Sequence, residues 1–146
     1  MSWRVGQKVL VTCVGVFMLS CLSDHTATVV DTPPIDWNEA VEMTFANRDT
    51  TSQVDLSLVI FYALEAPDSV DLAVRTTSPD GYVAEDTVRC YLPRRKSQHD
   101  YYEREVLFRR GTMLRCSGNY NITFAPTTTT RGVWAVGLNT KLHNEE

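Results

Sequence analysis

The sequence has 146 residues, of which 43% are hydrophobic and 22% charged, and its formal net charge at pH 7 is −4. A chain of this length and apolar content can bury the core of one domain. Its longest basic cluster is the three residues Arg94–Lys96. The acidic balance therefore argues against a nucleic-acid partner, because such proteins need basic surfaces that follow the phosphates.

The first twenty residues have the layout of an export signal. Arg4 and Lys8 precede a charge-free apolar run from Val9 to Leu19. As a helix rising about 1.5 Å per residue, this run crosses only about half of a hydrocarbon core of about 30 Å. We therefore expect residues 1–20 to be removed as a signal peptide. Their removal takes away two of the 14 basic residues and none of the 18 acidic ones, which leaves a net charge of −6.

The end of the signal, Met18-Leu19-Ser20-Cys21, resembles the bacterial lipobox. In that motif the cysteine becomes the new N-terminus, and its nucleophilic sulfur carries a diacylglycerol. Two or three acyl chains hold a protein on a bilayer stably, at about 0.8 kcal/mol per buried methylene. We expect Cys21 to be the lipid attachment site and the protein to lie in the cell envelope, on the outer membrane. The alternatives are an ordinary secretory signal or a buried N-terminal strand.

Two other cysteines remain in the mature chain, because Cys13 leaves with the signal. Cys90 and Cys116 form an even pair in an oxidising compartment, which predicts a disulfide between them. The alternative is two separate free thiols in the core. Zinc is not expected, since two cysteines with no histidine at ligand spacing cannot complete a tetrahedral site.

Residues 22–36 are polar, rich in Thr and Asp, and broken by Pro33-Pro34. This composition is typical of a spacer, so we predict a tether of residues 21–36 between the lipid and the domain. The pair Asp36 and Glu39 has the spacing of a capping box, which leaves a short helix there as an alternative.

From residue 37 onward, apolar and polar residues alternate with a period of two, which is the period of a half-buried β-strand. Ser78-Pro79-Asp80-Gly81 has the residues of a tight turn. We therefore predict an all-β fold, a single antiparallel β-sandwich of about seven strands over residues 37–142, with a tail at 143–146. The predicted strands are Val41–Phe45, Val54–Leu64, Val70–Val74, Val88–Leu92, Val106–Phe108, Tyr120–Phe124 and Trp134–Leu138. The second half of Val54–Leu64 is apolar on both faces, which predicts a central strand.

No arrangement typical of an enzyme stands out. His25, His99 and His143 fall in the spacer, a charged loop and the tail, and no G-x-S-x-G nucleophile elbow is present. Glu103 and Glu105 lie on one face of a strand, as solvated acidic residues commonly do. We therefore predict no catalytic residues, no metal, no cofactor and no small-molecule substrate.

Aromatic residues are the best sequence evidence for a binding surface. Tyr101 and Tyr102 lie in a charged loop, and Tyr82 and Trp134 could join them in a platform for a sugar or a protein. For Trp134 the alternation of its neighbours favours a place in the core.

Several segments together resemble the gliding-motility lipoproteins of the GldH type found in Bacteroidetes. The matching segments follow the family order and are Trp37 with Val41-x-x-x-Phe45, Asp49-Thr50, LSLVIFY, SVDLAVRTTSPDG, EDTV, YEREVLFR, GNYNITFAP and GVWAVGL. The resemblance implies an envelope lipoprotein associated with the gliding machinery, and it carries over Cys21 but no active site. It leads us to expect a structural or adaptor protein with envelope protein partners. The alternative is a glycan-binding lipoprotein that uses exposed aromatic residues.

Overall fold

The computed structural model describes residues 25–94 and 101–144, and these residues form β-strands and connecting turns. Eight strands follow one another where about seven were predicted. They are β1 His25–Asp31, β2 Val41–Asn47, β3 Gln53–Ala63, β4 Ser69–Thr77, β5 Val83–Tyr91, β6 Tyr101–Met113, β7 Gly118–Pro126 and β8 Val133–Leu142. Within these residues, no helix is long and apolar enough to cross a membrane.

The strands form two antiparallel sheets of four, in the orders β1-β8-β3-β6 and β2-β7-β4-β5. Alternate side chains of each strand point between the sheets, where they form one hydrophobic core. Leu58 and Ile60 from β3 and Ile122 and Phe124 from β7 are fully buried in it. The predicted antiparallel β-sandwich is confirmed.

Strand β3 is central, as its apolar second half predicted. It pairs with β8 on one side and β6 on the other. Even its outward-facing Val59 is only 8% exposed. Side chains of the neighbouring strands β8 and β6 shield the outward-facing residues of β3, which agrees with its apolar residues at consecutive positions.

The predicted tether differs from the structure, because residues 25–31 form strand β1. This strand pairs with β8 in a register that places Val29 opposite Gly137. A side chain on Gly137 would come within 2.7 Å of the Thr28 carbonyl oxygen, so glycine permits this close pairing. The β-branched residues of the segment suit a strand, and Pro33-Pro34 fall just beyond its end. Of the predicted tether, residues 21–36, only residues 21–24 precede the first strand of the domain.

The short helix considered at Asp36–Glu39 does not form. Trp37 instead makes a β-bridge with Thr130, and its indole Nε1 donates to the Glu39 carbonyl oxygen at 2.7 Å. The Trp37 side chain is fully buried. Burial of this large ring decides the local structure over the weak capping signal.

The turn at Ser78–Gly81 is confirmed as the β4–β5 hairpin. The Gly81 amide donates to the Ser78 carbonyl oxygen at 2.9 Å, and Gly81 has a φ of 87°. That left-handed conformation is readily available to glycine.

The sandwich has two ends, which we name after the β-strand residues found there. The His25 end holds the start of β1 and β3 and the ends of β6 and β8. The β4–β5 hairpin lies at the same end, because a Cβ atom on Gly118, the first residue of β7, would lie 3.3 Å from Pro79. The Val133 end holds the start of β6 and β8, and there the Tyr62 hydroxyl donates to the Pro93 carbonyl oxygen at 2.5 Å.

Candidate functional site

Tyr101 and Tyr102 point to opposite faces of the first sheet, as successive residues of a strand must. Tyr102 pairs in register with the buried Tyr62, and the two rings stack with centroids 5.4 Å apart. Tyr101 pairs with Ala63 and points outward, with 59% of its surface exposed. The structure therefore separates the two tyrosines, and Tyr102 does not belong to an outer aromatic platform.

Trp134 lies on the outside and not in the core. The register of β8 against β3 shifts at this position, because Phe61 pairs with Ala135 and Tyr62 with Val133. This β-bulge leaves Trp134 as the extra residue and redirects its side chain. The indole is 40% exposed. The alternation of its neighbours could not reveal the bulge, so the sequence argument for burial was wrong.

Trp134 and Tyr101 meet on the outer face of the first sheet. Their ring centroids are 5.7 Å apart with an interplanar angle of 87°, an edge-to-face arrangement. The pair spans the central strand β3 at Ala63, which is small enough to leave room for both rings. Two of the three predicted binding residues are thus brought together.

The surroundings of this pair are mixed, because the exposed Glu103 of β6 pairs with Phe61 and lies among apolar side chains. Val29 and Leu107 are exposed on the outer face, and Phe61 lies half-buried between them and the aromatic pair. We call this surface the outer face, and its members are Val29, Val59, Phe61, Tyr101, Leu107, Trp134 and Ala135. Large contiguous apolar patches on a small domain commonly mark interaction sites.

One side of the outer face is polar. Glu105 accepts from Asn139 Nδ2 at 3.1 Å and forms an ion pair of 3.2 Å with Lys141. Asn139 Oδ1 is buried and has no hydrogen-bond partner among residues 25–94 and 101–144. Glu105 pairs with Val59 and lies between Tyr101 and Leu107 along β6, so polar groups occupy the β6 side of the outer face.

The predicted disulfide is absent, and both cysteines are free thiols. Cys90 is buried near the Val133 end of β5, where burial raises the pKa of its thiol to about 11. Cys116 lies at the His25 end, where its amide donates to the Tyr120 hydroxyl. The β4–β5 hairpin lies beside Cys116, and β5 leads from it to Cys90. At about 3.3 Å per residue, this path places Cys90 roughly 25 Å from the hairpin. A disulfide needs Cα atoms within about 7 Å, so the pairing prediction was wrong.

A cleft of about 470 Å³ opens at the His25 end and was not predicted from the sequence. Tyr82, Met113, Arg115 and Cys116 line it, together with residues of β3, β4 and β7. Arg109 of β6 bonds Asp86 of β5 at 2.9 Å and so links the two sheets at the cleft. Its lining comes from five separate strands and their turns, and no single sequence segment carries the signal.

His143 belongs to the folded domain, although the sequence placed it in a tail. Its amide donates to the Gln53 carbonyl oxygen, and its Nδ1 lies 2.8 Å from Asp55 Oδ1. The Gly111 amide donates to the same carboxylate oxygen at 2.7 Å. This amide and then His143 hold the pKa of Asp55 below its usual value.

The remaining sequence predictions concern regions that the structure covers in part. Cys21 and His99 lie outside the described residues. Within the described ranges, no cluster of three or more His, Cys, Asp or Glu could hold a metal ion. The absence of catalytic residues and of a cofactor stays a prediction.

The fold is a β-sandwich domain with an exposed pair of aromatic side chains on its outer face. No protein-family model matches the sequence, and no curated protein matches it. The similarity to solved structures is distant. A carbohydrate-binding module specific for non-crystalline cellulose is 16% identical, with a TM-score of 0.47 and coverage of 81% of this chain and 73% of that one.

Two further similarities are weaker still. Carbohydrate-binding modules from the β-sandwich superfamily give 12% identity and a TM-score of 0.37, over 80% of this chain and 52% of that one. Dimeric latent PorU from Porphyromonas gingivalis gives 10% identity and a TM-score of 0.40, over 82% of this chain and 13% of that one. At these values the likeness carries no information about what this chain binds.

Proposed function

We propose that this chain is a non-catalytic lipoprotein of the bacterial cell envelope, similar to the GldH type, and that it binds an envelope protein through its outer face. The observation that carries the proposal is the exposed Tyr101–Trp134 pair. Trp and Tyr are enriched among the residues that contribute most to binding energy at protein interfaces.

The composition of the outer face favours a protein as the partner. Val29 and Leu107 extend the apolar surface beyond the aromatic pair, and Glu105 forms an ion pair with Lys141 on the same face. Protein interfaces combine apolar contacts, enriched in aromatic residues, with hydrogen-bonding polar groups. The role of an adaptor in an envelope assembly follows from such a surface together with the predicted lipid at Cys21.

Crosslinking in cells tests the protein partner. We expect tagged wild-type protein to capture envelope proteins that the double variant Tyr101→Ala, Trp134→Ala loses. Tyr91→Ala is the matched control, because Tyr91 is 63% exposed on the other sheet and lies outside the outer face. Equal capture by the double variant and the wild type would contradict the proposal.

A glycan is the second candidate ligand, and one observation favours it. The Tyr101 ring is more than half exposed beside the Trp134 indole, so one ring face is available to stack on a sugar. Calorimetry with envelope glycans should then show binding that Tyr101→Ala abolishes and Tyr91→Ala preserves. Absence of any glycan binding by the wild type excludes this candidate.

The proposed anchor has its own test. Metabolic labelling with a tagged fatty acid should mark the wild type and leave Cys21→Ala unlabelled, because the sulfur of Cys21 is the proposed attachment atom. Undiminished labelling of Cys21→Ala would remove the anchor from the proposal. Protease treatment of intact cells then distinguishes the outer surface from the periplasmic face.

A further inference from the structure

The first strand brings the proposed anchor close to one end of the sandwich. Strand β1 begins at His25, and Cys21 lies four residues earlier in the sequence. Fully extended, four residues span at most about 14 Å. The long tether predicted from the sequence is thereby replaced by a short connection.

The His25 end also carries side chains suited to a lipid surface. Tyr82, Met113 and Leu142 are large, exposed and amphipathic or apolar, and Tyr82 is 71% exposed. Tyr82 and Met113 border the same cleft. Aromatic and apolar side chains at the edge of a domain enter the interface between lipid headgroups and acyl chains favourably.

The His25 end carries both arginine and aspartate side chains. Arg48, Arg110 and Arg115 are exposed there. Among the described residues of the same end, hydrogen bonds lower the pKa of Asp49, Asp55 and Asp80, so these carboxylates are ionised. Asp49 accepts from the Thr51 and Ser52 amides, and Asp55 accepts from the Gly111 amide. An exposed guanidinium group is attracted to anionic headgroups over about a Debye length from the membrane.

We propose that the His25 end rests on a phospholipid surface, with the strands running away from the membrane. The inference depends on the lipid at Cys21 that is part of the proposed function. In this orientation the Tyr101–Trp134 pair lies at the opposite end of the domain. From Lys141 to Trp134 strand β8 rises about 3.3 Å per residue, so the pair stands roughly 23 Å farther from the bilayer, where a partner can reach it.

Two matched tyrosines allow a direct test. Tyr82 lies at the hairpin of the His25 end and Tyr91 at the Val133 end of β5, and both side chains are highly exposed. Tyr82→Trp and Tyr91→Trp place a fluorescent ring at each end. The native Trp37 and Trp134 both lie toward the Val133 end, beside Thr130 and Tyr101. Their background emission should therefore stay unquenched at the membrane.

The lipidated variants are reconstituted into vesicles of phosphatidylglycerol and phosphatidylcholine with brominated acyl chains. The tryptophan of Tyr82→Trp adds emission to the native background. We expect brominated acyl chains to quench most of this added emission, compared with vesicles that lack bromine. The emission that Tyr91→Trp adds should be the same in both kinds of vesicle. Equal quenching of the two variants, or quenching of Tyr91→Trp alone, overturns the orientation.

Flotation separates this inference from the function on which it rests. Wild-type protein that floats with the vesicles and Cys21→Ala protein that stays behind support the anchor. If the wild type floats but Tyr82→Trp is not quenched, only the orientation is overturned. If Cys21 carries no acyl chain, both the anchor and the orientation are overturned.

Discussion

The indole of Trp134 meets the ring of Tyr101 edge to face across strand β3, although 33 positions separate them in the sequence. A β-bulge in β8 turns Trp134 outward, and the alternation of β6 turns Tyr101 to the same side. The pair lies at the Val133 end of the outer face. Its exposure distinguishes it from the stacked Tyr62–Tyr102 pair next to it, which lies on the inner side of the sheet.

The aromatic pair should contribute a measurable coupling energy to folding. Edge-to-face pairs contribute about 0.5–1.5 kcal/mol beyond the burial of their area. A double-mutant cycle of Tyr101→Ala and Trp134→Ala, measured by urea unfolding, should give a coupling in this range. Additive effects of the two changes would show that the rings do not stabilise each other in solution.

Strand β1 should be part of the folded domain and sensitive to Gly137. A methyl group at this position would meet the Thr28 carbonyl oxygen at 2.7 Å and Val29 Cγ2 at 3.0 Å. We expect Gly137→Ala to lower the free energy of unfolding by about 1–3 kcal/mol, the usual range for overpacking. In a chain that begins at residue 32 the same substitution should cost much less. Equal costs in the two chains would contradict the docking of β1 on β8.

The two thiols of the mature domain should react at very different rates. Cys90 is fully buried and the pKa of its thiol is raised to about 11, so almost none of it is thiolate at neutral pH. Cys116 is only half-buried at the edge of the cleft. In the Cys21→Ala chain after signal removal, a thiol reagent should modify Cys116 first and Cys90 only in denaturant. A mass two hydrogens lighter before labelling would indicate the disulfide that the structure lacks.

Acid should weaken the fold in part through Asp55. Its pKa is lowered in the folded state by the Gly111 amide and by His143, from a usual value of 3.8. Its contribution to stability is therefore complete above pH 3.8 and is lost as the pH falls through the lower folded value. We expect Asp55→Asn to be less stable than the wild type near neutral pH, and the urea midpoints to converge in strong acid. A difference that stays constant over this range would exclude the carboxylate as its cause.

Local sequence pattern was sufficient for most strands, because burial of one sheet face imposes a period of two along each strand. It also located the β4–β5 hairpin, where Pro79 and Gly81 meet the backbone requirements of the turn. It failed for β1, whose polar composition resembled a spacer. The decisive feature there is Gly137, which lies more than 100 positions away and allows the close approach of β1.

The same division holds for the candidate sites. Tyr101 and Trp134 could be singled out from the sequence, since exposed aromatic residues are favoured in binding surfaces. The contact between their rings depends on the strand order and on the bulge in β8, and Tyr102 takes no part in it. The separation of Cys90 from Cys116 had the same origin. An even number of cysteines says nothing about the distance between them. The path of β5 places Cys90 and Cys116 at opposite ends of the sandwich.

By itself the sequence determined the class of fold, the tight turn and the lipobox resemblance at Cys21, because each of these depends on residues that are neighbours in the chain. The tertiary structure alone decided that β1 belongs to the sandwich, that Trp134 is exposed and that the cysteines are apart. These features depend on register and strand order, which arise from contacts between residues distant in sequence.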